Sequence, residues 1–72
     1  MKKVTIVIPA YNEEKRIGRT LAAYSDFFEN LRKKGKLDYT LLVVINGTVD
    51  KTEEVVKIYS IKNPRIKYLN YK

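Results

Sequence analysis

Two short segments hold the side chains with chemical reach: Pro9-Ala10-Tyr11-Asn12-Glu13 and Asn46-Gly47-Thr48-Val49-Asp50. Each follows an apolar run and precedes an amphipathic stretch, so each stands where a strand would hand over to a helix. In parallel sheets, ligands bind outside the carboxyl ends of the strands. The free N–H groups and positive dipole end of the following helix favour anions there. The arrangement suggests a nucleotide or sugar-phosphate site. Neither Gly-x-Gly-x-x-Gly nor Gly-x-x-x-x-Gly-Lys-[Ser/Thr] occurs, so dinucleotide-fingerprint and P-loop readings lack support.

Asn46-Gly47-Thr48 admits three readings: an N-glycosylation acceptor, the Asn-Gly pair of a tight hairpin, or a strand-to-helix loop. A hairpin needs a second strand directly after Asn46-Gly47, and a helical pattern follows instead. A glycan needs a secreted chain. The opening MKKVTIVIPA imitates a signal peptide, but Asn12-Glu13-Glu14-Lys15-Arg16 comes at once, with no cleavage pattern between. No run approaches the roughly 18 apolar residues of a membrane span. A cytoplasmic location and the strand-to-helix loop are therefore expected.

The elements that must position these loops follow from hydrophobic periodicity. Val4 to Ile8 is a β-branched run ended by Pro9, which reads as a buried strand. Ile17, Leu21, Tyr24, Phe28 and Leu31 then recur at spacings of 4, 3, 4 and 3, one face of a helix. Asn12 suits its N-cap, with Glu13 and Glu14 in a first turn that favours negative charge. Lys33 and Lys34 suit its last turn, and Gly35 its left-handed end. Tyr39 to Ile45 reads as a second strand. Asp50 and Glu53 form a cap-to-N3 pair ahead of Val55, Val56 and Tyr59 in a second helix, stopped near Asn63-Pro64. Ile66 to Tyr71 reads as a third strand. The expected fold class is α/β, a β-α-β-α-β Rossmann-like half domain with a three-stranded parallel sheet.

Several of these residues also have a structural explanation. Tyr11 can cover the sheet end, Glu13 can answer the helix dipole, and Gly47 can serve backbone geometry. Tyr24, Phe27 and Phe28 read as core residues. The 15 basic and 8 acidic residues give a formal charge of +7. The basic residues are spread over the whole chain, a solvated surface more than a nucleic-acid footprint, so no nucleic-acid partner is expected. With 72 residues the chain is one domain at most, and it has neither Cys nor His. Disulfides and a Cys/His zinc site are excluded.

The stretches VTIVIPAYNEEKRIGRTL, YTLLVVINGTVDKTEEVVKIY and NPRIKYL together resemble the amino-terminal part of family-2 glycosyltransferases of the GT-A fold, the group that includes dolichyl-phosphate sugar synthases. The I-P-A-Y-N-E-E stretch is the most specific part. The resemblance implies a nucleotide-diphospho-sugar donor, a divalent metal, and transfer of sugar to an acceptor, often a lipid phosphate. It implies that Pro9, Ala10 and Tyr11 lie against the donor's base and ribose, with Glu13 the acid of that loop. The family's second loop usually reads D-D-G-S-T-D. Here Ile45 and Asn46 stand at the two leading acids, while Gly47, Thr48 and Asp50 keep the pattern, and Asn46 offers an amide to base or ribose. The metal-holding D-x-D and the acceptor base come later in the family than Lys72. Residues 1–72 are thus expected to be a truncated nucleotide-sugar-binding domain, with no catalytic or metal-ligating residue and no activity alone. Mn or Mg is expected only for a complete family member. The alternative is a non-catalytic oligomerising or interaction module derived from the same fold.

The resemblance also implies strand order 3-2-1 with both helices on one face. Leu42 and Val44 then oppose Leu41, Val43 and Ile45, and Val7 opposes Val4, Ile6 and Ile8, so the second face is apolar and uncovered. A homo-oligomer through that face, or through the first-strand edge, is expected.

Overall fold

The computed structural model describes residues 2–47 and 50–71. The chain forms β1 (Lys2–Ala10), α1 (Ile17–Lys33), β2 (Leu37–Asn46), α2 (Thr52–Lys62) and β3 (Ile66–Tyr71). β1 pairs with β2 in parallel, from Lys2 opposite Leu37 to Ala10 opposite Ile45. β2 pairs with β3 in parallel, from Leu41 opposite Ile66 to Asn46 opposite Tyr71. Counted along the chain the order is β1-β2-β3, and this corrects the expected 3-2-1. The correction is one of direction: each crossover returns the chain to the adjacent position, so the sheet grows outward from β1, with β2 in the centre.

Period-two alternation explains the strands. Tyr39, Leu41, Val43 and Ile45 are buried on the helix side of β2, and Ile8, Ala10 and Ile66 continue that layer on its neighbours. Pro9 does not end β1 as expected; it sits inside the strand. β1 is an edge strand, where a missing N–H need not cost a ladder bond.

Ile17 and Leu21 of α1 and Val56 of α2 close the core over this layer, with Phe28, Val55 and Tyr59 packed beside them. The helices approach closely at Gly18, where a Cβ would lie 3.1 Å from the Tyr59 ring. Tyr24 and Phe27 are 42% and 61% exposed, which corrects their expected place in the core. Both rings meet Phe28 edge-on from the solvent side, while Phe28 turns inward and stacks on Tyr39. α1 ends as expected: Gly35 takes φ +73° and donates its N–H to the Arg32 carbonyl at 3.0 Å. α2 ends at Asn63, which is extended, as a residue before proline prefers.

Neither helix contributes to the opposite sheet face. Val7, Leu42 and Lys67 form one row across it, and Pro9, Val44 and Leu69 the next. Val7 is 58% and Leu69 47% exposed. Among the described residues, no helix is long and apolar enough to cross a membrane.

Candidate functional site

Because Ala10 and Ile45 are the last partners of the β1–β2 ladder, the chain leaves the two strands side by side. Tyr11 and Asn46 therefore follow each other across neighbouring strand ends, and both are exposed. Pro9 is exposed on the open face, whereas the Ala10 side chain is buried in the helix-side core. Gly47 takes φ +60°, a conformation that favours glycine, and donates its N–H to the Tyr71 carbonyl at 2.7 Å. That bond ties the second loop to the end of β3. Thr48 and Val49, whose pattern positions the resemblance covers in part, lie outside the described residues.

The first loop differs from expectation. Asn12 is in the left-handed region at φ +51°, which Asn tolerates better than most residues, and it is not the N-cap of α1. The helix begins at Ile17, with no acid in its first turn and no side-chain cap at Arg16. A turn precedes it, in which the Glu13 carbonyl accepts from the N–H groups of Arg16 and Ile17 at 2.9 and 2.8 Å. Glu13 and Glu14 thus stand ahead of the helix. The Glu13 carboxylate pairs with the Arg16 guanidinium at 2.9 Å.

Two N–H groups just ahead of the helix find their acceptors in the other loop. Glu13 N–H donates to Thr52 Oγ1 at 2.8 Å, and Glu14 N–H donates to Asp50 Oδ2 at 3.2 Å. The Thr52 hydroxyl, which has no exposed surface, donates in turn to Asp50 Oδ1. Asp50 Oδ1 also accepts the Thr52 N–H at 3.0 Å. The cap of α2 is therefore Asp50, acting from one residue earlier than expected. Lys51 occupies the cap position without a side-chain bond, so the pairing expected between Asp50 and Glu53 does not form. Partial burial works to raise the Asp50 carboxyl, but hydrogen bonds from the Thr52 hydroxyl, the Thr52 N–H and the Glu14 N–H outweigh it. The group is held below the usual carboxylate range.

Asn12, Glu13, Glu14, Lys15, Arg16 and Asp50 line an open cavity of about 350 Å³ between the loops. Three carboxylates and two cations line it, and Asp50 there accepts the Glu14 N–H ahead of α1. The Glu13 and Glu14 N–H groups ahead of α1 are thus satisfied from within the chain. The divalent metal that the resemblance implies does not fit these residues. Among the described residues no three acidic, His or Cys groups converge on one point, and Glu13 and Asp50 are committed to Arg16, Thr52 and Glu14.

Ile45 has no exposed surface and points into the core beneath the helices. Position 46, not 45, offers its side chain at the strand end. Sequence reasoning missed Thr52. Asp50-Lys51-Thr52 was legible as a local helix start, but the bond from Glu13 joins residues 39 apart, which no local pattern announces.

Comparison with known proteins extends this geometry. A dolichyl-phosphate beta-glucosyltransferase of Trichomonas vaginalis is 37% identical over 68 residues, which are 93% of this chain and 21% of that protein. An uncharacterized protein of Methanocaldococcus jannaschii is 42% identical over 55 residues, 76% of this chain and 19% of the relative. An uncharacterized glycosyltransferase of Bacillus subtilis is 30% identical over 67 residues, 93% of this chain and 20% of the relative. The chain thus spans about a fifth of the length of the curated relatives it matches. No solved structure matches it at a significant level. Residues 5–71 match the family described as glycosyl transferase family 2, and the chain belongs to that family.

Proposed function

We propose that this chain recognises the nucleoside part of a nucleotide-diphospho-sugar on behalf of a sugar-transferring protein. The observation that carries this reading is the pair of bonds from Glu13 to Thr52 and from Glu14 to Asp50, which fasten the two strand-end loops together. Tyr11 and Asn46, the residues that follow the last β1–β2 partners, are both left exposed. The Tyr11 ring supplies a stacking face and the Asn46 amide a donor and acceptor for a base edge or ribose hydroxyl. Pro9 borders that surface, Ala10 supports it from the core side, and Gly47 lets the backbone turn without a side chain in the way. Glu13, oriented by Arg16, is the acid of the first loop. A divalent ion would neutralise the diphosphate in the whole protein, and transfer to a lipid-phosphate acceptor is proposed from the printed name of the Trichomonas relatives. No residue of this segment is assigned a catalytic step. Titration with UDP and GDP, with and without Mn²⁺, tests the reading. Saturable binding weakened by Tyr11→Ala is expected; no saturation with either nucleotide would reject it.

A second reading is favoured by the uncovered sheet face. Val7, Leu69 and Tyr71 are 58%, 47% and 57% exposed around the half-buried Leu42 and Val44. We infer that a second copy of the 72-residue chain covers this face or pairs along β1. Burying each aliphatic side chain contributes roughly 1.5–3 kcal/mol, against a total stability of about 4–11 kcal/mol for a chain of this size. Light scattering at micromolar concentration decides: a monodisperse monomer of 8.4 kDa would sink the idea.

A further inference from the structure

The Asp50 carboxylate serves two helix starts at once. One oxygen accepts from the N–H and hydroxyl of Thr52 at the start of α2, the other from the Glu14 N–H ahead of α1. Donation of the Thr52 hydroxyl proton to Asp50 leaves the hydroxyl oxygen to accept the Glu13 N–H at 2.8 Å. The charge on Asp50 therefore sets the orientation of a hydroxyl buried between the loops. Through it, the path of the first loop from Ala10 to Glu14, with Tyr11 and the left-handed Asn12 in between, is fixed against the second. Charge-assisted bonds of this kind are roughly twice as strong as neutral ones. Without them the Glu14 N–H loses its acceptor, and the Thr52 hydroxyl that takes the Glu13 N–H loses the bond that orients it.

We propose that Asp50, acting through Thr52, is a positioning residue for nucleotide recognition, holding Tyr11 in place relative to Asn46. The inference rests on the nucleoside-binding reading above and goes beyond it by assigning the part that makes the site one unit. The charged groups around Asp50 are Glu13, Glu14, Lys15 and Arg16, which line the cavity from the α1 side, and Lys51 on its own loop. Glu13 is paired with Arg16.

Two measurements on the intact chain test it. In an amide proton–nitrogen titration, the Glu14 and Thr52 signals are expected to follow one shared carboxylate transition on the acid side, absent in Asp50→Asn. UDP titration is expected to show about tenfold weaker binding for Asp50→Asn and for Thr52→Val, which keeps the shape but loses the hydroxyl. Thr52→Ser is expected to stay within about twofold of the unmodified chain, since it keeps the hydroxyl. UDP affinity unchanged in both Asp50→Asn and Thr52→Val would overturn the positioning role and leave nucleoside binding intact. Failure of the unmodified chain to bind UDP or GDP would overturn both. If Asp50→Asn does not fold, the unmodified chain still decides, because Glu14 and Thr52 amides with no common transition contradict the shared carboxylate.

Discussion

The Tyr39 hydroxyl donates to Glu29 Oε1 at 2.9 Å, joining the central strand of the sheet to α1 at the end opposite the loops that follow β1 and β2. The Tyr39 hydroxyl oxygen in turn accepts from Asn63 Nδ2 at 3.0 Å, so the end of α2 joins the contact. Glu29 is held by Arg32, and Arg65 pairs with Asp38 at 2.8 Å and lies over the Tyr39 ring. One phenol therefore links both helices to the β2 strand. The polar cluster takes over where the apolar core thins towards the amino ends of the strands.

Removing that hydroxyl should be costly without disturbing the packing. Tyr39→Phe keeps the ring stacked on Phe28, with centroids 5.6 Å apart. It leaves the Asn63 Nδ2 amide with the long bond to Ser25 Oγ at 3.4 Å, while Asn63 Oδ1 still accepts from the Arg65 N–H. A loss of about 1–2 kcal/mol is expected for a buried hydrogen bond whose partner is left short of an acceptor. In urea unfolding this moves the midpoint by on the order of 1 M at the slopes usual for small domains. A midpoint equal to that of the unmodified chain would show the cluster to be ornamental.

Element order and core were legible in the sequence because each depends on local periodicity. Leu41, Val43 and Ile45 alternate with half-buried neighbours, and Ile17 and Leu21 are one helical turn apart, so both signals survive without tertiary knowledge. The errors came where a distant group supplies what a neighbour usually does. Asn12 looked like a cap because caps are read from the residue before a helix. In the fold Asn12 turns left-handed, and the acceptors for Glu13 and Glu14 arrive from Thr52 and Asp50. Pro9 looked like a strand end because nothing local marks β1 as an edge. The strand-end position of Tyr11 and Asn46 was legible from the two loops, whereas the clamp that holds them was not.

Acid should weaken the fold in a predictable window. The hydrogen bond from Arg32 holds Glu29 below its ordinary range, and that from Arg65 does the same for Asp38. Asp50 is lowered despite partial burial, by its bonds from Thr52 and Glu14. A carboxyl whose folded value lies below its unfolded value stabilises fully above the unfolded value, about 3.9–4.3, and loses that contribution as pH falls through the folded value. Burial pushes Tyr39 the other way, above its ordinary value. Its contribution is complete below about pH 10 and is lost as pH rises beyond it. Urea midpoints should therefore be level from about pH 5 to 9 and fall on both sides. Tyr39→Phe should flatten the alkaline arm and, by removing one of the bonds that hold Glu29 low, also reduce the acid arm; an alkaline fall of the same size in that variant would contradict the assignment.

The two positions where the family pattern carries acids should respond in opposite ways. Ile45 is completely buried between the sheet and the helices, with Ala10 as its strand partner. An aspartate there would lose the packing of a large aliphatic side chain and leave a charge without water, or force the carboxyl to stay protonated. A cost of at least about 3 kcal/mol is expected for Ile45→Asp, a large share of the roughly 4–11 kcal/mol available to a chain of this length. Asn46 is exposed at the strand end, and Asn46→Asp should change stability by no more than about 0.5 kcal/mol. If the donor-binding role of this loop is right, Asn46→Asp changes UDP affinity while Ile45→Asp acts through folding alone. Measuring urea midpoints and UDP dissociation constants side by side separates the two. An Ile45→Asp chain as stable as the parent would mean that position 45 has polar company in solution. The burial of its side chain would then not be what keeps an acid out.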